Sequence, residues 1–167
     1  MNSYTRSRAW ALARAIGVMI LFLALFIGGM WLTKVYAQDM ALGDSIAQST
    51  GSALGVPTYA EVGASSCRIL GTMPTGFYNH VVISAGINDA PGACVDAIRE
   101  KVRAKFVTWI VPAPINSAYS HVINVAAAHG DRTVGYLCWH GCTKWNFHPA
   151  SPGTVANQVR AIWNDQH

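Results

Sequence analysis

Charge is sparse in this chain, and an excess of basic residues is missing where it would matter: Asp, Glu, Lys and Arg make up only 12% of its 167 positions. The formal net charge of +4 comes from the N-terminal segment. Of 12 Lys and Arg, four (Arg6, Arg8, Arg14 and Lys34) precede Gln38, and the eight that follow are matched by eight Asp and Glu, all of them beyond Gln38. Residues 38–167 are therefore neutral overall, without the cationic face that neutralising a phosphate backbone requires, which excludes a nucleic-acid partner. Low-complexity linkers and internal repeats are also absent, which excludes a solenoid or a string of modules and leaves one domain after the N-terminal segment.

What is present first is a long apolar run. Ala15 through Thr33 are 19 uncharged residues with Met19 to Ile27 at their centre, preceded by Arg6, Arg8 and Arg14. A helix apolar on every face needs an enclosing core, and the rest of the chain is too short to supply one. The run therefore reads as an N-terminal hydrophobic helix that is either an export signal or a membrane anchor. Val35-Tyr36-Ala37 before Gln38 offers small residues where a signal peptidase reads, with cleavage after Ala37. Against cleavage, the run approaches the roughly 20 residues that span a bilayer. The arginines hold the N-terminus in the cytoplasm. Residues 1–37 are thus a signal peptide or anchor, and 38–167 an exported domain. That domain is periplasmic or secreted if cleaved, or tethered outside the inner membrane by a transmembrane helix, with the membrane as partner, if not.

Beyond Gln38, strand and helix signals alternate. Short apolar runs predict strands over Asp39–Gly43, Thr58–Val62, Val81–Ser84, Phe106–Val111 and Thr133–Leu137. Helix-compatible stretches occupy Ser45–Leu54, Ser65–Leu70, Ala93–Ala104, Ser117–His129 and Ser151–Asp165. This order predicts a three-layer α/β/α fold, flavodoxin-like, with a central parallel sheet of about five strands. Val107 to Val111, with Trp109, reads as a core strand that Pro112 ends.

In such sheets the site forms beyond the strand C-termini, where strand order reverses. Gly43-Asp44-Ser45 places a hydroxyl on the first strand-to-helix turn, near free backbone N–H groups that favour developing negative charge, so Ser45 is the candidate nucleophile. Gly63 and Asn88 each follow a later strand and converge on the same edge. Phe147-His148-Pro149 puts a potential base just before the last helix.

Together these blocks resemble the SGNH/GDSL hydrolase family of serine esterases and lipases. Gly43-Asp44-Ser45 matches its first block, Gly63 within Val62 to Ser66 its second, Gly86-Ile87-Asn88-Asp89 its third and His148-Pro149 its fifth, so the resemblance spans Met40 to Trp163. It implies Ser45 and His148 as the catalytic pair and an oxyanion hole made by the Ser45 and Gly63 backbone N–H groups with the Asn88 amide. It implies no metal and no organic cofactor. The implied activity is hydrolysis of a small ester or acetylated carbohydrate. The alternative is an SGNH-fold envelope or carbohydrate-binding domain with weakened catalysis. One departure motivates that alternative: the family carries an aspartate three residues before its histidine, and here that position is Trp145. A backbone carbonyl, or a remote acid such as Asp131 or Asp165, would then have to orient the imidazole.

Four cysteines allow three pairings. In an oxidising compartment, Cys67 with Cys94 would join the loops after the second and third strands, and Cys138 with Cys142 would staple the loop entering His148. The competing reading is a zinc site built from Cys138, His140, Cys142 and His148. Outside that metal reading, His80, His121, His129, His140 and His167 read as structural or surface residues.

Overall fold

The computed structural model describes residues 16–27, 38–89, 93–138 and 148–166. The chain divides into two units, Met1–Ala37 and Gln38–His167. In the first, residues 16–27 are helical, with exposed apolar side chains that include Phe22 and Phe26. At 1.5 Å per residue those helical positions extend about 18 Å, against about 30 Å of bilayer hydrocarbon. Among the described residues no helix is long and apolar enough to cross a membrane. This corrects the expectation of a transmembrane anchor over Ala15 to Thr33, and with it the membrane as a partner and the location tethered to the inner membrane. The Ala37 cleavage position lies outside the described residues.

The second unit is a five-stranded parallel sheet between helical layers. In chain order it comprises β1 (Met40–Gly43), α1 (Ser45–Leu54), β2 (Thr58–Ala60), α2 (Ser66–Thr72), β3 (Tyr78–Ser84), α3 (Val95–Lys101), β4 (Ala104–Ile110), α4 (Tyr119–His129), β5 (Arg132–Val134) and α5 (Pro152–Asn164). The strand order is β2-β1-β3-β4-β5, and every pairing is parallel. A parallel sheet covered on both faces needs strands apolar on both faces, which is why Val81-Val82-Ile83 is an unbroken buried run.

Alternation sends these strands into two cores. Met40, Leu42, Val81, Ile83 and Trp109 face one side and pack with Ile69 of α2, Ile98 of α3 and Val122 of α4. Ala41, Val82, Ile110 and Val134 face the other and pack with Ile46 of α1 and Val155, Val159 and Trp163 of α5. Trp109 is fully buried, and its Nε1–H donates to Asp131 at 2.9 Å, in keeping with a core strand.

Local chemistry sets the helix ends. Asp44 caps α1 by accepting the Ile46 N–H, and Gly55 ends it in the left-handed region at φ 74°. Ser151 caps α5, with Pro152 in its first turn. Where α1 crosses the sheet, a Cβ on Gly51 would lie 2.2 Å from Thr58 Oγ1 and 2.6 Å from Ala41 Cβ, so only glycine permits the approach.

Candidate active site

The strand order reverses between β1 and β3, so a cleft is expected beyond their C-terminal ends. Three exit segments are tied together there by backbone hydrogen bonds: Asp44 N–H donates to Ser84 O at 3.1 Å, and Glu61 N–H donates to Gly43 O at 3.0 Å. Gly43 has φ 143°, and a Cβ on it would lie 1.9 Å from Ser84 O. The glycine of Gly43-Asp44-Ser45 is therefore required by the passage of β3 alongside, and this contact fixes where the following serine begins α1.

Ser45 is the first residue of α1 and half-buried, whereas His148 is exposed and lies just ahead of the Ser151 cap. Ser45 Oγ lies 2.9 Å from His148 Nε2, although 103 residues separate them in sequence. The hydroxyl donates to Nε2 when the ring carries its own proton on Nδ1. An antiparallel bridge between Cys138 and Pro149, with Ala150 N–H donating to Leu137 O at 2.8 Å, anchors the segment that carries the histidine.

No carboxylate among the described residues hydrogen-bonds to the His148 imidazole. Asp131, an expected substitute, is engaged elsewhere: its two oxygens receive Arg99 Nε at 2.5 Å and Nη2 at 2.8 Å. Asp165 is the C-cap of α5 and makes no bond to the ring. Trp145 lies outside the described residues, as do His140, Cys142 and His167.

Asn88 and the turn at Gly63 are brought together, with Asn88 Nδ2–H donating to Ala64 O at 3.0 Å. The second amide hydrogen of Asn88 is left for another acceptor. Gly63 is exposed and has φ 74°, the turn conformation glycine adopts without cost. Asn116, which the sequence did not single out, donates to Ile87 O at 3.2 Å and braces the third block from the β4 side.

Beneath Ser45 sits a buried acid. Asp44 is completely inaccessible, with Oδ1 accepting the Ile46 N–H at 2.9 Å and Oδ2 lacking a well-formed hydrogen bond. Burial pushes its pKa up to about 6, opposed by the nearby Ser84 hydroxyl and by backbone N–H groups. Burial, and then the charge of Asp44, push the Tyr136 phenol up. A turn sequence alone gives no sign that the middle residue points inward.

On the His148 side, a cavity of about 390 Å³ opens between the chain after β5 and the start of α5. Leu137, Pro149 and Val155 form its apolar wall, and Ser151, Thr154 and Gln158 add polar groups.

Cys67 and Cys94 form a disulfide, joining the segments after β2 and β3 as one of the expected pairings has it. Cys138 is also disulfide-bonded, so its sulfur is not a thiolate ligand for zinc; its expected partner Cys142 lies outside the described residues. His80 is buried between Phe106 and Trp163 with Nδ1 2.9 Å from Asp39, and His121 pairs with Asp96.

No protein-family model and no curated protein matches the chain. Among solved structures it is similar to a GDSL-like lipase from Bacteroides thetaiotaomicron, with a TM-score of 0.51 at 17% identity over 81% of this chain and 90% of the other. A putative acylhydrolase from Bacteroides fragilis aligns over 79% of this chain and 88% of its own, at 17% identity and a TM-score of 0.47. At this identity the likeness to the lipase is one of fold, and it agrees with the resemblance that the sequence blocks carry.

Proposed function

We propose that this domain is a slow serine esterase of the SGNH type, acting on a small ester or an acetylated carbohydrate through Ser45 and His148. The observation that carries this reading is the 2.9 Å contact between Ser45 Oγ and His148 Nε2. The sheet order supports the flavodoxin-like description, and the Cys67–Cys94 disulfide supports work in an oxidising compartment.

In the first half-reaction Ser45 Oγ attacks the ester carbonyl carbon while His148 Nε2 takes the hydroxyl proton. The carbonyl π electrons move to oxygen, where the Ser45 and Gly63 backbone N–H groups and the Asn88 amide meet the oxyanion. His148 then returns the proton to the leaving alcohol as its C–O bond breaks, leaving an acyl-serine that water cleaves by the reverse sequence. Because the proton is delivered from His148, the leaving alcohol lies on the histidine side. The adjoining cavity, with an apolar wall and a hydroxyl and amide rim, suits an alcohol the size of a sugar ring.

This reading expects low turnover, because no carboxylate among the described residues holds the imidazole. Removing the acid from a serine–histidine–acid triad costs on the order of 10⁴-fold. That same observation favours a second reading, an SGNH-fold envelope or carbohydrate-binding domain in which hydrolysis has been lost. Fluorophosphonate labelling together with p-nitrophenyl acetate hydrolysis separates the two. The esterase reading expects Ser45 to be phosphonylated and both Ser45→Ala and His148→Ala to abolish turnover with the fold intact. Unlabelled, inert wild-type protein would remove the esterase reading and leave the binding one.

A further inference from the structure

Asp89 carries more of the loop architecture than its place in a turn suggests. Its Oδ1 accepts the Ser66 backbone N–H at 2.8 Å, and its other oxygen accepts the Ser66 hydroxyl at 2.5 Å. The same hydroxyl oxygen accepts the Cys94 N–H at 3.0 Å. Ser66 is fully buried at the start of α2, immediately after the turn that contains Gly63 and Ala64. Next to Asp89, Asn88 reaches Ala64 O, so consecutive side chains of one loop grip consecutive parts of the other. Each grip spans 23 or 24 residues of sequence, and neither is part of the regular secondary structure.

We propose that Asp89 is a positioning residue for ester hydrolysis: it holds the Gly63–Ala64 turn against Asn88, so that the oxyanion donors from two separate loops stay in register. The inference rests on the esterase reading above. A carboxylate fits this site because Ser66 presents two donors, its backbone N–H and its hydroxyl, while Cys94 N–H occupies one lone pair of the hydroxyl oxygen. Asparagine keeps one acceptor and turns the other position into a donor, so it preserves the backbone bond and loses the hydroxyl bond. Alanine loses both.

Oxyanion contacts strengthen only as negative charge develops on oxygen, so loosening the hole lowers kcat and leaves KM nearly unchanged. A displaced hole should cost less than an absent donor, whose loss costs about 10²–10³. The test uses the full chain with Asp89→Ala, Asp89→Asn and Ser66→Ala. Hydrolysis of p-nitrophenyl acetate is measured per fluorophosphonate-titrated site, alongside the phosphonylation rate. Asp89→Ala should lower kcat roughly 10- to 100-fold with KM within about twofold, and should slow phosphonylation by the same factor, because the phosphonyl oxygen occupies the same hole. Asp89→Asn and Ser66→Ala should fall between alanine and wild type, and they carry the test if Asp89→Ala does not fold. A kcat per titrated site within twofold of wild type in these variants would overturn the positioning role while leaving the esterase reading standing. Wild-type protein that neither labels nor turns over would overturn both.

Discussion

Replacing Asp44 with asparagine should stabilise this protein at neutral pH, although the residue caps the helix that begins at Ser45. The carboxyl is fully inaccessible, and burial raises its pKa from 3.8 to about 6. Between those two values the native state holds a proton that the unfolded chain releases. Stability from this group is therefore complete below pH 3.8, falls as pH rises through 6, and is lost above it. A shift of this size corresponds to about 3 kcal/mol at pH 7.5, the cost of keeping an ionised carboxylate out of water. Asparagine removes that cost and keeps the Oδ1 acceptor for Ile46 N–H, while its new amide donor has only the nearby Ser84 hydroxyl to approach. Allowing about 1 kcal/mol for imperfect bonding of the new donor leaves a gain of about 2 kcal/mol. In a domain of this size that is about 7 °C in Tm. Thermal unfolding of wild type and Asp44→Asn from pH 3.5 to 7.5 is the assay. The advantage of the variant should grow through the interval from 4 to 6 and vanish at the acid end. Parallel Tm profiles across the whole range would refute the argument, because they would mean that Asp44 titrates alike in folded and unfolded chains.

Gly43→Ala should cost at least about 3 kcal/mol, read by urea unfolding, because its Cβ would lie 1.9 Å from the Ser84 carbonyl oxygen at a φ of 143°. A loss under 1 kcal/mol would show that β1 and β3 have room to part at this end. Replacing Cys67 and Cys94 together by serine should cost about 3 to 4 kcal/mol through the freed loop, given a separation of 27 residues, with the same denaturant assay as the measure.

The element order was legible because the central strands are short apolar runs and α1, α2 and α5 each begin at a capping Asp or Ser. α1 has the bounds expected of it, Ser45–Leu54, since Asp44 and Gly55 mark its two ends chemically. The far end of the sheet was less so. A strand expected over Thr133–Leu137 occupies Arg132–Val134, because the chain leaves the edge there: Leu137 is 85% exposed, and Cys138 turns to pair with Pro149. Apolar letters alone could not separate an edge strand from the segment that follows it. The same limit applies at the N-terminus, where apolarity suggested a membrane span but no described helix has the necessary length.

Local chemistry likewise pointed to Ser45, Asn88 and His148 as candidates, because each follows or precedes an element that sequence can recognise. What it hid was the direction in which neighbouring polar residues point. Asp44 and Asp89 both read as turn residues, yet one is sealed beneath Ser45 and the other is bonded to a serine 23 residues away. Turn propensity reports that an aspartate can satisfy its carboxylate nearby. It does not report whether the partner is water, the adjacent backbone or a distant loop. That choice depends on the strand order bringing the exits of β1, β2 and β3 to one edge, so the polar frame of the site is a property of the topology. Trp145 and Asp44 then bear on different questions: the first concerns how the imidazole is held, the second how much stability the fold gives up to place a charged cap under Ser45. Substitutions at Trp145 alone would miss the second, which is measurable without any substrate.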